Sequence, residues 1–174
     1  DLICKGYVIV EGLSGSSLRN KGTIGAIINS GRITAGTNFG LFNDTTGIIT
    51  ALTNSGTISA GGNFAINNLG SIGTLTNTGS ISQIQSTGIS NAGTITTFNN
   101  SQGKFGSNPV TFTKSLPTNY NVIVNSTSDF GQIVFSDVSG TINFGVDSSS
   151  TLADVDTTYS TVLSGLSSSD IASG

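Results

Sequence analysis

Apolar residues recur at every second position in short stretches of residues 18–105, and each stretch ends in a bend rich in Asn and Gly. Eight units place an apolar residue, then Asn two positions later, then Gly and a second apolar residue. Leu52-Thr53-Asn54-Ser55-Gly56-Thr57-Ile58 is a regular example. Residues spaced by two project to the same side of an extended chain. Each unit therefore predicts short β-strands on either side of a corner.

The spacing of the motif asparagines defines the repeat. They are separated by 9, 14, 11, 14, 9, 14 and 9 residues. The eight residues are Asn20, Asn29, Asn43, Asn54, Asn68, Asn77, Asn91 and Asn100. Short and long steps alternate, so the true repeat is a pair of units, 23 to 25 residues long. A period in this range is typical of a solenoid, in which each coil buries its apolar face against the next.

Three short extended stretches per repeat, with Gly and Asn at the corners, favour a right-handed parallel β-helix. A left-handed β-helix would show a hexapeptide period, and a leucine-rich repeat would carry a helix-forming half. We therefore expect an all-β fold with about four coils of 23–25 residues over residues 18–105.

The recurring residues predict specific contacts between coils. Stacked asparagines would form internal amide ladders, because a buried amide without a partner costs roughly 1–3 kcal/mol. Motif glycines would allow a positive φ at the corners. Phe39 and Phe64 lie 25 residues apart, as a stacked aromatic pair one coil apart would. The extra residues 44–46 predict a small corner loop.

The two flanking segments differ from the coils. Residues 1–17 contain a strand-like run at 6–10, which is either the last strand of a preceding coil or an N-terminal cap. Residues 106–174 predict longer strands, some in hairpins, that cap the last coil. These strands are expected at residues 110–112, 121–124, 132–135, 141–146 and 159–163. The bounds of the chain suggest a processed piece or fragment of a longer protein.

Composition excludes several classes of function. Charged residues make up 9% of the chain, histidine is absent and the net charge is −3, so nucleic-acid binding is not expected. Without histidine the commonest general base and transition-metal ligand are missing. The charge is also uneven: residues 1–105 hold five basic and three acidic residues, and residues 106–174 hold one and six. This shift favours two structural segments.

Candidate chemistry is sparse. Asp44 is the one acid within the coils, whereas enzymes with a β-helix fold need clustered carboxylates, so we predict no catalytic residues, cofactor or metal site. Asp154 and Asp156 suit a solvated turn better than half of a calcium site. Cys4 is expected to be a small buried apolar residue. Threonines follow the motif glycines too irregularly for ice binding. No apolar run approaches the ~18 residues of a membrane span.

The chain resembles the passenger domains of bacterial autotransporters, the type V secretion family. Residues 54–58 (Asn-Ser-Gly-Thr-Ile) and 91–95 (Asn-Ala-Gly-Thr-Ile) are similar to the repeats of their β-helical stalks. Residues 116–124 and 150–166 are similar to the segment that precedes the membrane barrel. The resemblance implies export through the outer membrane, display at the bacterial cell surface, and an autochaperone role for residues 106–174. The linker helix and membrane barrel of the family are absent from this sequence.

Two hypotheses follow. In the first, the chain is a surface structural or adhesive module, with self-association or a host surface or glycan as its partner, besides its own membrane barrel. In the second, it is the scaffold of a secreted enzyme or toxin whose active domain lies upstream of residue 1. The residues that precede Asp1 would separate these hypotheses.

Overall fold

The chain winds through three parallel β-sheets. The structure is a computed structural model that describes residues 1–4, 7–10, 15–84, 87–103, 108–151 and 157–172, without the side chains of residues 4 and 7–10. Sheet 1 contains, in spatial order, β1 (Leu2–Cys4), β4 (Thr23–Asn29), β7 (Ile48–Asn54), β10 (Ser71–Asn77), β13 (Thr94–Asn100), β15 (Asn119–Val122) and β17 (Asn143–Val146). Sheet 2 contains β2 (Tyr7–Val10), β5 (Arg32–Ala35), β8 (Thr57–Ala60) and β11 (Ser80–Gln83). Sheet 3 contains β3 (Leu18–Asn20), β6 (Leu41–Asn43), β9 (Ile66–Asn68), β12 (Ile89–Asn91), β14 (Val110–Ser115), β16 (Ile133–Ser139) and β18 (Leu163–Ser164).

The predicted parallel β-solenoid is confirmed. Each regular coil contributes a strand of seven residues to sheet 1, one of four to sheet 2 and one of three to sheet 3. Equivalent motif positions pair across coils, so that Leu52 lies between Ile27 and Leu75 in sheet 1. Inward residues of this kind are fully buried, because each coil can cover its apolar side only with the coils above and below.

The number of coils is nearer to six than to the predicted four. The prediction counted only the stretch that carries the Asn-Gly motif. Before it, β1 and β2 pair in parallel with β4 and β5 and so extend sheets 1 and 2. After it, β14 to β18 extend sheets 1 and 3. Parallel pairing of backbones depends on an extended chain in register and does not require the corner motif.

The prediction of C-terminal hairpins is wrong for the strands of the described residues. β14 pairs in parallel with both β12 and β16, and β15 pairs in parallel with both β13 and β17. Antiparallel contacts in this part of the structure are isolated bridges, Gly103 with Gly131 and Val124 with Phe130. A short 3₁₀ helix, Ser168–Asp170, follows β18.

The shape of the core changes along the axis. Among the described residues, β11 is the last strand of sheet 2, while sheets 1 and 3 continue past it. Large aromatic residues fill the interior where the third side of the coil ends. Tyr120 packs edge-on against Phe98, with ring centroids 5.6 Å apart, and Phe112 packs edge-on against Phe135 at 5.5 Å. The regular coils instead hold Ile and Leu, which are smaller.

From Gly47 onward, the motif glycines are required by close approach between coils. A Cβ built on Gly56 would lie 2.1 Å from the carbonyl oxygen of Gly31, and one on Gly79 would lie 2.1 Å from that of Gly56. Neither glycine has a positive φ. The expectation of a positive φ at these corners is therefore wrong, because the corner keeps an ordinary backbone conformation and the constraint comes from the next coil.

Gly56→Ala should destabilise the solenoid, because its methyl group would meet backbone that cannot rotate away. Overpacking of this kind costs about 1–3 kcal/mol. Gly36→Ala is the matched control, since a Cβ there meets nothing within 4 Å, and it should be neutral or slightly stabilising. Urea unfolding followed by circular dichroism measures both. Equal midpoints for the two variants would contradict the explanation by close approach.

Candidate functional site: the asparagine ladders and coil corners

The first ladder runs along the corner at the C-terminal ends of the sheet 3 strands. The Nδ2 of Asn20 donates to Oδ1 of Asn43 at 2.9 Å, Asn43 donates to Asn68 at 2.8 Å, and Asn68 donates to Asn91 at 2.7 Å. These side chains are at most 5% exposed. The ladder ends at Asn91, whose Nδ2 donates to the carbonyl of Ser115 at 2.7 Å.

The second ladder runs along the corner at the C-terminal ends of the sheet 1 strands. Asn29 donates to Asn54 at 2.7 Å, Asn54 to Asn77 at 2.8 Å, and Asn77 to Asn100 at 3.0 Å. All four side chains are fully buried. The eight motif asparagines therefore form two columns, and the alternation of short and long steps in the sequence is the alternation between the two corners.

Each amide also holds its corner to the backbone. The Oδ1 of Asn29 accepts a hydrogen bond from the N–H of Gly31 at 3.2 Å, and that of Asn20 accepts one from Gly22 at 3.1 Å. The Nδ2 of Asn54 donates to the carbonyl of Ser80 in the next coil at 3.2 Å. Bonds from a side chain to the N–H two residues on favour a turn. One amide thus closes its own corner and binds the neighbouring coil.

Gln102 seals the edge of sheet 2, a role that sequence reasoning missed. Its Nε2 donates to the carbonyl of Ile81 at 3.1 Å, and its Oε1 accepts from the N–H of Ile81 at 2.7 Å and from Nδ2 of Asn77 at 3.0 Å. The side chain is 4% exposed. At Ile81 it makes the pair of hydrogen bonds that a neighbouring backbone would make, and so covers an edge that would otherwise be open to other chains.

A signal for Gln102 is present in the sequence. In most units the residue two positions after the motif Asn is Gly, as in Asn77-Thr78-Gly79, but Gln stands there in Asn100-Ser101-Gln102. The substitution marks the residue that bonds to the backbone of β11 at Ile81. Beside it, Nδ2 of Asn100 donates to the hydroxyl of Tyr120 at 3.3 Å. Burial raises the pKa of the Tyr120 hydroxyl, so this group stays protonated.

The predicted corner loop at residues 44–46 carries an ion pair. A nitrogen of the Arg19 guanidinium lies 2.6 Å from Oδ2 of Asp44, and the same guanidinium lies 4.9 Å from the centre of the Phe42 ring. The hydrogen bond from Arg19 lowers the pKa of the Asp44 carboxyl. The predicted stacking of Phe39 on Phe64 is confirmed, with centroids 6.2 Å apart and planes 3° from parallel.

An apolar groove of about 480 Å³ lies at the C-terminal end, between the last strands of sheets 1 and 3. Val122, Phe144 and Val146 line one side, and Tyr159 and Leu163 the other. The hydroxyl of Tyr159 is buried and has no hydrogen-bond partner among the described residues. The groove is the end of the solenoid core, continuous with the inward positions of the preceding coils.

The described residues hold no group of three or more His, Cys, Asp or Glu side chains that would suit a metal ion. Asp154, Asp156 and the side chain of Cys4 lie outside them. A search of the described residues for a helix long and apolar enough to cross a membrane found none.

The chain was compared with protein-family models, with curated proteins and with solved structures, and none of them matched. The fold defines the chain as a parallel β-solenoid, and a fold by itself does not assign a function.

Asn54→Ala should destabilise the protein by at least about 1–3 kcal/mol, because the amides of Asn29 and Asn77 would each lose a buried partner. Asn63→Ala is the matched control: Asn63 also pairs with an asparagine one coil away, Asn38, but on the exposed surface. Its removal should cost less than about 0.5 kcal/mol. Urea denaturation with linear extrapolation compares the two. A similar loss in both variants would show that burial of the ladder does not matter.

Proposed function

We propose that this chain is a non-catalytic structural or adhesive module of a surface-displayed passenger protein, in which residues 106–174 seed the folding of the coils. The similarity of residues 54–58, 91–95 and 116–124 to autotransporter stalks motivates the proposal. The observation that carries it is the change in core composition along the axis, from asparagine ladders with Ile and Leu to a continuous aromatic cluster.

The aromatic cluster gives the C-terminal coils the greatest apolar burial. Phe98, Phe112 and Tyr120 are the largest fully buried side chains in the described residues. An aromatic side chain buries about 150–250 Å² and gains further from edge-to-face contacts. Where the ladder position of Asn100 continues into the next coil, the residue in register is Val122. An apolar side chain thus replaces the buried amide in this coil. A buried amide stabilises the fold only when its hydrogen-bond partners are already in place.

Seeding from this end follows from how solenoids fold. Stability in repeat proteins is a sum of coil terms and nearest-neighbour terms, so folding begins at the most stable unit and spreads to its neighbours. The aromatic coils supply the edges of β14 and β15, on which β12 and β13 pair in register. The ladders then add one coil at a time, since each asparagine finds its partner in the coil already formed.

The outer surface supports a role as a displayed module. Few charges are available for solubility, and hydroxyl and amide side chains take their place. A stack of about six coils at roughly 4.8 Å per coil makes a rigid rod close to 30 Å long. Such a rod presents long side surfaces built from stacked coils, which suits a stalk or an adhesive contact.

Phe112→Leu should slow refolding, whereas Leu52→Ala should chiefly accelerate unfolding. Both residues are fully buried, but only Phe112 lies in the proposed seed, and a substitution in a folding nucleus acts mainly on the folding rate. Stopped-flow refolding from urea measures the two rates. For each variant, the change in refolding rate is divided by the loss in free energy of unfolding. An equal ratio for Leu52→Ala and Phe112→Leu would contradict the seeding role.

Surface display has a separate test in the organism that makes the protein. An antibody raised against the folded chain should label intact cells, and protease added outside should remove the label while a cytoplasmic marker survives. Labelling that appears only after the cells are lysed would contradict display at the surface.

A further inference from the structure

The outer face of sheet 1 is almost free of charge, with Asp1 at its N-terminal edge, where Oδ1 of Asp1 lies 3.0 Å from a Cβ built on Gly25 of β4. None of its seven strands contains Asp, Glu, Lys or Arg, whereas Arg32 is exposed on sheet 2 and Arg19 and Lys114 are exposed on sheet 3. The strands of the widest face are thus built without charged residues. Depletion of charge is the compositional mark of an interface core.

The outward columns of this face change character along the solenoid axis. One column, followed from the N-terminal end, reads Ile3, Ile28, Thr53, Thr76, Asn99 and Asn121. A neighbouring column reads Ala26, Ala51, Thr74, Thr97, Asn119 and Asn143. Both columns pass from apolar to hydroxyl to amide. Ile28 is 41% exposed, although neighbouring Ile27 is fully buried.

The amide end of the face is already ordered. The Nδ2 of Asn121 donates to Oδ1 of Asn99 at 2.9 Å, and that of Asn143 donates to Oδ1 of Asn119 at 3.2 Å. Side chains held in this way lose less rotamer freedom when a partner binds, which lowers the entropic cost of association.

We propose that this face binds a second copy of the chain, side by side, with the two solenoid axes parallel. A two-fold axis along the solenoid places each level against the same level of the partner. Apolar residues then meet apolar residues at one end, and amides meet amides at the other. The antiparallel arrangement would press Ile3 and Ile28 against the amides of Asn121 and Asn143, which costs free energy for each amide left unpaired.

The size of the face fits a weak, reversible dimer. Seven strands at about 4.8 Å spacing, four of them seven residues long, cover roughly 600–700 Å². Stable interfaces bury about 800 Å² on each partner. A face whose strands hold no charged residue meets little like-charge repulsion when it pairs with itself, and Asp1 at the N-terminal edge is the exception. Such a contact gains most where copies are held close together, as on a shared surface, and in this respect the inference rests on the proposed function.

The first test places a charge on the face. Ile28→Lys should abolish concentration-dependent dimerisation in sedimentation-equilibrium experiments, while Ser82→Lys on the outer side of sheet 2 should leave it unchanged. Both sites are exposed, and circular dichroism checks that both variants fold. The inference is overturned by a wild-type chain that stays monomeric up to about 1 mM, or by a dimer that tolerates Ile28→Lys.

The second test fixes the orientation. In the parallel dimer, position 28 faces position 28, so an equimolar mixture of Ile28→Lys and Ile28→Asp should associate although neither variant does so alone. In the antiparallel dimer the mixture stays dissociated, which overturns the proposed arrangement. Refolding rates and surface labelling do not enter either measurement, so failure of the dimer and failure of the proposed function are distinguishable.

Discussion

The satisfaction of buried amides between successive coils is the constraint on which the rest of the structure depends. An Asn such as Asn54 accepts from the coil before it and donates to the coil after it, within the same corner. Its hydrogen bonds exist only when both neighbours are in register. A slip of one residue would leave whole columns of amides unpaired in the interior, so the ladders fix register more strictly than apolar packing alone can.

Each buried amide needs a partner in the next coil, and this requirement explains why the two ends of the described core differ. A ladder has no natural end, because its last amide always lacks a partner. The chain ends one ladder on the carbonyl of Ser115 and the other on a group of polar partners that includes Tyr120 and Gln102. Gln102 also covers the free edge of β11. Aromatic packing begins where the ladders stop, which links the polar termination to the coils with the greatest apolar burial.

The same low charge that makes the ladders possible shapes the outside. Solubility depends on Ser, Thr and Asn, whose side chains bond to one another along the columns of sheet 1. A surface of this kind costs little to dehydrate compared with a charged one.

The sequence by itself determined the coil, because the spacing of Asn and Gly reports local corner geometry that repeats with the chain. From it came the parallel solenoid, the paired columns and the contact between Phe39 and Phe64. Only the tertiary structure decided the number of coils, the parallel course of β14 to β18, the steric reason for Gly56 and the role of Gln102. Each of these depends on which backbone segments pack against each other in neighbouring coils. No local pattern of residues encodes that contact.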